Sequence, residues 1–337
     1  MRKKTGVTME DIARRLAVSK NSVSLALNNK KGVGDELRQK IVDTAREMQY
    51  AGAGRDKPRD RCVVSIIPEY IHNDAYFYSD IFWSIETECK NNGCISIMTS
   101  ITKYAENDLL FPQMPTELDI IGFLVIGVVG APYINRLLHT GQPVVAVDIS
   151  CPGAPVRSVT SSNLSGGYEA VRYLYGKGHK DIGFIGPAYA AQSVYERWCG
   201  FNQALGAFGL EYNPGFHVVG NKNEFKLFDT VENLEPLINL EGRYPTAWFC
   251  AGDRIAIALL NILTRKGLSV PGDISIIGFD DIHMSQMVFP ALTTMRVDRK
   301  LMGKLAFEML LDPKLAYGQN VSLSVAIVER GSVKTLS

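Results

Sequence analysis

Along the first fifty residues the apolar positions recur at helical spacing. Beyond residue 61 they gather instead into short runs separated by long amphipathic stretches. Thr8-Met9-Glu10-Asp11 has the form of a capping box, a hydroxyl at the N-cap and an acid three residues on. Ile12, Ala13 and Leu16 then share one face, Ala17-Val18-Ser19 interrupts the pattern, and Ser19 can cap a second helix over 20–27. On that helix Val23, Ala26 and Leu27 face inward, and Lys20, Asn21, Ser22, Ser24 and Leu25 face outward. A third helix over 35–49 buries Leu37, Ile41, Ala45 and Met48. In the rest of the chain, buried-strand runs fall at 62–67, 94–98, 120–126 and 143–149, and again at 182–185, 216–219, 247–250 and 274–279. Helical stretches such as 81–89 and 133–139 lie between them. Such wide spacing predicts parallel strands joined by helical crossovers. The expected fold is an all-α helix-turn-helix headpiece followed by an α/β body of two doubly wound parallel-sheet subdomains. A ligand would sit between these subdomains at the carboxyl ends of the strands.

Composition adds a compartment. The chain has 337 residues, 46% of them apolar and 21% charged, with 14 Phe and 14 Tyr, which excludes disorder and supplies more than one core. Its cysteines (62, 89, 94, 151, 199 and 250) form no CxxC pair, which argues against a zinc site or disulfide framework and for reduced thiols. The basic Met1-Arg2-Lys3-Lys4-Thr5 is not followed by an apolar run, and no eighteen apolar residues stand together. A cytoplasmic protein with no membrane partner is expected.

Charge adds a partner. The net charge of +1 conceals an asymmetry, because residues 1–61 hold 15 Lys and Arg against 8 Asp and Glu, and the rest of the chain is net acidic. A basic head on an acidic body suits a polyanion. Two helices joined by a three- or four-residue turn make a helix-turn-helix, whose second helix fits the major groove. Asn21 can pair two ways with adenine, Lys20 can donate to guanine or phosphate, and Ser22 can bond either. The competing reading is a three-helix bundle used for protein contacts.

The segments 8–13 (Thr-Met-Glu-Asp-Ile-Ala), 18–28 (Val-Ser-Lys-Asn-Ser-Val-Ser-Leu-Ala-Leu-Asn) and 38–50 resemble the headpiece of the lactose-repressor (LacI/GalR) family. The resemblance implies base reading by Lys20, Asn21 and Leu25, within a DNA-facing set of Thr8, Ser19, Lys20, Asn21, Ser22, Ser24, Leu25, Asn28 and Arg55. An arginine often stands where this chain has Leu25, which can at most touch a thymine methyl. The linker, 51–61, departs from the family, whose hinge helix wedges a leucine into the minor groove. Here no leucine lies between Met48 and Leu109. Gly52, Gly54 and Pro58 also oppose a helix, by roughly 1 kcal/mol per Gly and about 3 for an interior Pro. An extended basic tether touching phosphates is expected, with slight operator bending; a spacer without DNA contact is the alternative.

In the body the resemblance rests on Gly178-His179, Arg197, Gly200-Phe201, 270–275 (Val-Pro-Gly-Asp-Ile-Ser), 278–281 (Gly-Phe-Asp-Asp) and 290–294 (Pro-Ala-Leu-Thr-Thr). It implies a periplasmic-binding-protein-like body whose closure is coupled to operator affinity. The chain would cross three times between halves of roughly 62–158 with 288–319 and 159–287 with 320–337. The domains are thus 1–50, 51–61 and 62–337. Arg197 offers a fork of donors for vicinal hydroxyls or a carboxylate, and Asp148 and Asp280 follow strands, where they can accept from hydroxyls. The aromatic pair Phe77 and Tyr78 can stack on a sugar face. With Ser193 and Phe225 these make the candidate effector set; an Arg197–Asp280 ion pair with no ligand role is the alternative. Gly252 stands where the family usually has Asn, so the pocket should lack one polar contact and suit a larger or less hydroxylated ligand. Asp253 is read as capping the next helix, and His179 as a cation facing a helix C-terminus.

No GxSxG, GxxxxGK[ST] or GxGxxG motif occurs, and His72, His139, His179, His217 and His283 lack metal spacing. Leu164-Ser165-Gly166-Gly167 only superficially suggests a nucleophile. The expected protein is therefore no enzyme and has no cofactor or metal. It is a dimeric or higher-order repressor of double-stranded operator DNA, controlled by a sugar-like effector. A solute-binding protein and a ligand-independent architectural DNA binder are the rival readings.

Overall fold

The computed structural model describes residues 7–28, 30–50, 60–73, 75–114, 118–220, 228, 230–312 and 319–336. The expectations for the linker, including Arg55, and for Phe225 lie outside the described residues. The chain divides into two units, Met1–Asp60 and Arg61–Ser337.

The first unit holds α1 (Met9–Leu16), α2 (Lys20–Leu27) and α3 (Asp35–Glu47). The capping box forms: the Thr8 hydroxyl accepts from the Asp11 N–H, and the Asp11 carboxylate accepts the Thr8 N–H at 2.8 Å. Ala17 closes α1 in the left-handed region, at φ 56°, and this sharp turn lets Ser19 start α2 two residues later. Ile12, Val23, Ala26, Ile41 and Ala45 make the core, with Leu16, Leu27, Leu37 and Met48 packed at its edge. The inward faces are those the apolar spacing predicts.

The second unit builds two six-stranded sheets among the described residues. Its strands are β1 (Arg61–Pro68), β2 (Ile95–Ile101), β3 (Asp119–Ile126), β4 (Val144–Val147), β5 (Arg157–Ser161) and β6 (Ile182–Gly186), then β7 (Val218–Val219), β8 (Ala247–Cys250), β9 (Ser275–Asp280), β10 (Thr293–Arg296), β11 (Asn320–Leu323) and β12 (Ala326–Val328). The helices between them are α4 (Ala75–Asn91), α5 (Lys103–Asn107), α6 (Ala131–Leu138), α7 (Asn163–Gly176) and α8 (Gln192–Ala207), followed by α9 (Val231–Leu234), α10 (Asp253–Arg265), α11 (Met284–Met287) and α12 (Arg299–Leu311). One sheet runs β11-β5-β4-β3-β1-β2 and the other β12-β10-β9-β8-β6-β7. Pairing is parallel except between β10 and β12. Both sheets are covered on their faces, which is why β1, β4, β6 and β8 are buried along nearly their whole length and read as continuous apolar runs. No helix among the described residues is long and apolar enough to cross a membrane.

The strand pairings shift the crossover positions read from the sequence. β5 pairs with β4, Val147 opposite Val159, so the first sheet extends to Ser161 rather than to 158. β10 belongs to the second sheet through Thr293 opposite Ile277, although the sequence places roughly 288–319 in the first half. β11 belongs to the first sheet through Val321 opposite Val159, although the sequence places roughly 320–337 in the second. The crossovers follow β5, β10 and β11. These strands are short and rich in Ser, Thr and Asn, and polar residues at strand ends carry little signal of which sheet they join.

Candidate functional site

In the first unit, the outward face of α2 is the candidate nucleic-acid interface. Ser19 caps the helix by accepting from the Ser22 N–H at 2.9 Å, and Asn28 ends it by donating to the Ser24 carbonyl at 2.8 Å. Thr8 does the same service for α1. These three candidates thus set helix ends, while Lys20 and Asn21 stand exposed on the first turn of α2. Lys20 lies 3.7 Å from Glu10 in a solvated pair that a phosphate can replace at little cost. Ser22 and Ser24 are half-buried, and so is Leu25, whose Cδ1 packs against Gly32 rather than facing fully outward. Arg38, not singled out for a role, clamps the other end of α2. One of its terminal nitrogens donates to the Leu25 and Ala26 carbonyls, the other to Lys30 at 2.7 Å and Val33. Placed there, the cation also faces the negative end of the helix dipole.

In the second unit, a cavity of about 700 Å³, its open mouth included, lies between the two sheets. Phe77, Tyr78, Asp148, Ser193, Arg197 and Asp280 all line it. Asp148 and Asp280 leave β4 and β9 with φ of 59° and 106°, a left-handed turn at each strand end that directs the following chain away from the sheet. Phe77 and Tyr78 open α4, are buried, and meet edge to face at 4.9 Å. The Tyr78 hydroxyl donates to Asp148 at 3.3 Å.

Arg197, on α8, is 5% exposed. Its Nε donates to Asn163 Oδ1 at 2.9 Å, one terminal nitrogen to the Ala251 carbonyl at 2.6 Å, and the other lies 3.2 Å from Asp280. Its plane stacks 3.7 Å from the Phe279 ring centroid. Three of its five N–H donors are thus held by the protein. The ion pair expected as the alternative is present and lies in the cavity wall. The protein thus fixes the direction of a guanidinium in the wall of the cavity.

The helix pair that carries Arg197 owes its closeness to glycine. A Cβ on Gly200 would stand 1.9 Å from the Leu164 carbonyl oxygen, and one on Gly167 2.2 Å from that of Arg197. The Gly166-Gly167 stretch thus serves packing of α7 against α8.

Two expectations near the site change. Asp253 does not cap α10, because Gly252 occupies the N-cap. Its buried carboxylate instead accepts from the Ile282 N–H at 2.9 Å and the Thr294 hydroxyl at 2.6 Å, tying together the chain after β9 and β10. Burial, then the nearby Asp280, hold its carboxyl well above the usual range. His179 is fully buried, with Nδ1 2.9 Å from the Thr246 hydroxyl and Nε2 donating to the Lys334 carbonyl at 3.1 Å. Burial lowers its pKa, so it braces the chain terminus as a neutral ring rather than as a cation.

The sequence reading also missed cavity residues. Phe228 lines the cavity three positions after the expected Phe225, and the aromatic-rich 225–228 stretch (Phe-Lys-Leu-Phe) was the available signal. Arg254, on the first turn of α10, lines it as well. Arg299, at the start of α12 and outside the cavity lining, links α4 to the end of β9. It donates to Asp80 of α4 at 2.9 and 3.1 Å, and to the backbone carbonyls of Asp280 and Asp281. No local pattern marks an arginine that reaches between sheets.

Comparison with known proteins gives the family and the fold. Residues 8–52 match the model of bacterial regulatory proteins of the lacI family, and 171–333 match a periplasmic binding protein-like domain. The HTH-type transcriptional repressor CytR of Escherichia coli (strain K12) is 30% identical over 346 residues, covering 99% of this chain and 98% of the relative. Among solved structures, the transcriptional regulator CelR in complex with cellobiose superposes with a TM-score of 0.68 at 22% identity, over 97% of this chain and 99% of that one. The lac repressor dimer bound to operator and the anti-inducer ONPF does so with a TM-score of 0.65 at 24% identity, over 99% and 100%. A capped helix-turn-helix, a pair of parallel sheets around a polar cleft, and a relative matched from end to end lead to one assignment: the chain belongs to the lacI family of bacterial regulatory proteins.

Proposed function

We propose that this protein is a cytoplasmic repressor that binds a pseudo-palindromic operator as a homodimer and releases or grips it according to a sugar-like effector in the cleft. One observation carries the effector half. Two strand-end carboxylates, a buried arginine and an aromatic pair converge from both sheets on a single cavity. Carboxylates accept from hydroxyls, the guanidinium donates to them, and aromatic rings cover the apolar C–H face of a sugar. The similarity to a cellobiose-bound regulator supports the same ligand class. The cleft holds its ligand without transforming it.

The operator half rests on α2. Lys20 and Asn21 on its exposed first turn read base edges, Leu25 meets a thymine methyl, and Thr8, Ser19, Ser22, Ser24, Asn28 and Arg55 contact phosphates or fix register. The dimer is supported by apolar side chains left in solvent: Trp83 on α4 is 69% exposed, and Met98 on the edge strand β2 is 55% exposed. Two copies related by a two-fold axis then present two α2 helices to half-sites.

Selection from a randomised duplex library, followed by operator titration with and without saccharides, tests the reading. The expected result is a pseudo-palindromic consensus with steep salt dependence and an affinity altered by at least one saccharide. A protein indifferent to duplex sequence at low salt overturns the operator half. An operator affinity indifferent to every saccharide overturns the effector half.

A further inference from the structure

We propose that the body carries a second small-molecule site, at the crossovers between its two halves, that takes a small zwitterion of the α-amino acid class. β5 and β11, neighbours in the first sheet, and the first turn of α7 border a pocket of about 230 Å³. Six serines, Thr160, Asn163, Asn320 and Glu196 line it, and Leu164 is the single apolar residue of the lining. None of these residues lines the cavity of Phe77, Arg197 and Asp280. The pocket is smaller than the about 300–1,000 Å³ usual for drug-sized ligands, which suits a compact polar molecule.

Two independent features mark it as a donor site. Ser161, on β5, is 2% exposed and lines the pocket, and its hydroxyl makes no hydrogen bond among the described residues. A buried hydroxyl left unpaired is costly, so an acceptor seated in the pocket is favoured. The other feature is the start of α7, a helix of 14 residues. Its N-cap Ser162 gives the helix no side-chain bond, because that hydroxyl lies 2.9 Å from the Ser322 hydroxyl instead. The first-turn N–H groups have no acceptor within the helix and concentrate its positive end at the pocket wall.

The charges select the ligand. Glu196 is the one charged residue of the lining, and Asn163 Nδ2 donates to its carboxylate at 3.3 Å, which holds an anionic acceptor beside the start of α7. No Lys or Arg lines the pocket to offset Glu196, so a simple anion is disfavoured. A saccharide would find no aromatic or extended apolar wall for its C–H face. An α-amino acid carries its ammonium and carboxylate on one carbon and needs an acceptor adjacent to a set of donors. Its carboxylate would accept from the Ser161 hydroxyl and the α7 N–H groups, and its ammonium would donate to Glu196. The Ser158 hydroxyl donates to Asn320 Oδ1 at 2.6 Å, so β5 and β11 are already tied by side chains there. A ligand seated across both strands bears on the placement of the two halves, as a second input beside the cavity.

The test is calorimetric titration of the full chain with the proteinogenic amino acids, and with sodium sulfate and glycerol as an anion and a neutral polyol. The tightest amino acid is then compared with its N-acetyl derivative, which lacks the ammonium, and its amide, which lacks the carboxylate. At least one amino acid should bind, and each derivative should bind about tenfold more weakly. Ser161→Ala, which removes the buried donor, and Glu196→Gln, which removes the charge but keeps an acceptor for Asn163, are titrated alongside. A loss of affinity of about tenfold in either variant, at the parent's melting temperature, supports the site. Affinity unchanged in both variants overturns it, because the amino acid then binds elsewhere. Derivatives that bind as tightly as the amino acid overturn the zwitterion assignment, as does binding of sulfate or glycerol alone. If nothing in the panel binds, the proposal falls, and the saccharide reading of the cavity is untouched by any of these results.

Discussion

Arg197 stands under two demands that are usually separate in a binding protein, since the guanidinium that braces the fold also lines the cavity in which we propose the effector sits. Replacing it with Ala removes the cation beside Asp280 and strips Asn163 Oδ1 and the Ala251 carbonyl of their donor. Breaking a buried pair from one side costs about 3–5 kcal/mol, and Asp280 keeps 18% of its side chain in solvent, which places this case near the lower figure. Arg197→Ala should therefore lower the melting temperature of the body and abolish saccharide binding together. Arg197→Lys should restore part of the stability, because the charge returns without the planar fork. A melting curve identical to the parent for Arg197→Ala would show that the pair adds nothing to the fold. His217 gives a second residue-scale outcome. It accepts the Phe184 N–H at 3.2 Å amid Trp198, Phe201 and Tyr212, and burial lowers its pKa to about 4. The unfolded chain takes up this proton near the ordinary value of about 6.5 while the folded chain does not. Stability is therefore full above that pH and falls as pH drops from about 6.5 towards 4. His217→Gln, which can still accept the N–H, should flatten that part of the profile in urea midpoints measured from pH 7.5 to 4.5. A variant with the parent's slope would assign the acid sensitivity to other groups.

Elements show what the amino-acid order encodes locally and what it does not. The helix spacing of the headpiece is legible because its inward positions (Ile12, Val23, Ala26, Ile41 and Ala45) are all apolar and its caps are local. The central strands are legible because a strand covered on both faces must be apolar throughout. Six of the seven expected cleft residues line one cavity: Asp148 and Asp280 were legible as strand-end residues, the others through the family resemblance. β5, β10, β11 and β12 were not legible. They hold three to five residues each, many of them Ser, Thr or Asn, and only pairing with distant partners makes them strands. The close packing of α7 on α8 was equally hidden, because a glycine in sequence does not announce the carbonyl it must approach. Gly200→Ala tests that contact. Its Cβ would meet backbone that cannot yield as a side-chain tip does, so α8 must shift, at a cost of about 1–3 kcal/mol. Chemical denaturation should show that loss, with saccharide affinity falling as well because Arg197 moves with α8. An Ala variant as stable as the parent would mean that the two helices separate freely.

At the scale of the whole molecule, control of DNA by a ligand requires an element with two arrangements whose balance both ligands bias. The residue best placed to hold one arrangement of the body is Arg299. It starts α12, which packs on α4 beneath the first sheet, yet it donates to the carbonyls of Asp280 and Asp281 at the end of β9 in the second. Asp80, its carboxylate partner, lies on α4 one turn beyond the Phe77–Tyr78 pair. A ligand that bonds the Asp280 carboxylate pulls on the same residue whose backbone Arg299 grips, so occupancy and the placement of the two sheets bear on one point. Arg299→Gln keeps some hydrogen bonding but loses the charge that holds Asp80. It should release this arrangement and bring the ratio of operator affinities with and without saturating saccharide at least threefold closer to one. That change corresponds to about 0.7 kcal/mol of a coupling that is typically 1–3. Because linkage is reciprocal, the ratio of saccharide affinities with and without operator must shrink by the same factor. Asp80→Asn should reproduce the effect from the other side of the bridge, and the double variant should add little to either. Operator titrations on all three, with melting temperatures measured in parallel, separate the outcomes. A lowered melting temperature with an unchanged ratio would make Arg299 a structural brace, and an unchanged ratio with unchanged stability would remove it from the coupling altogether.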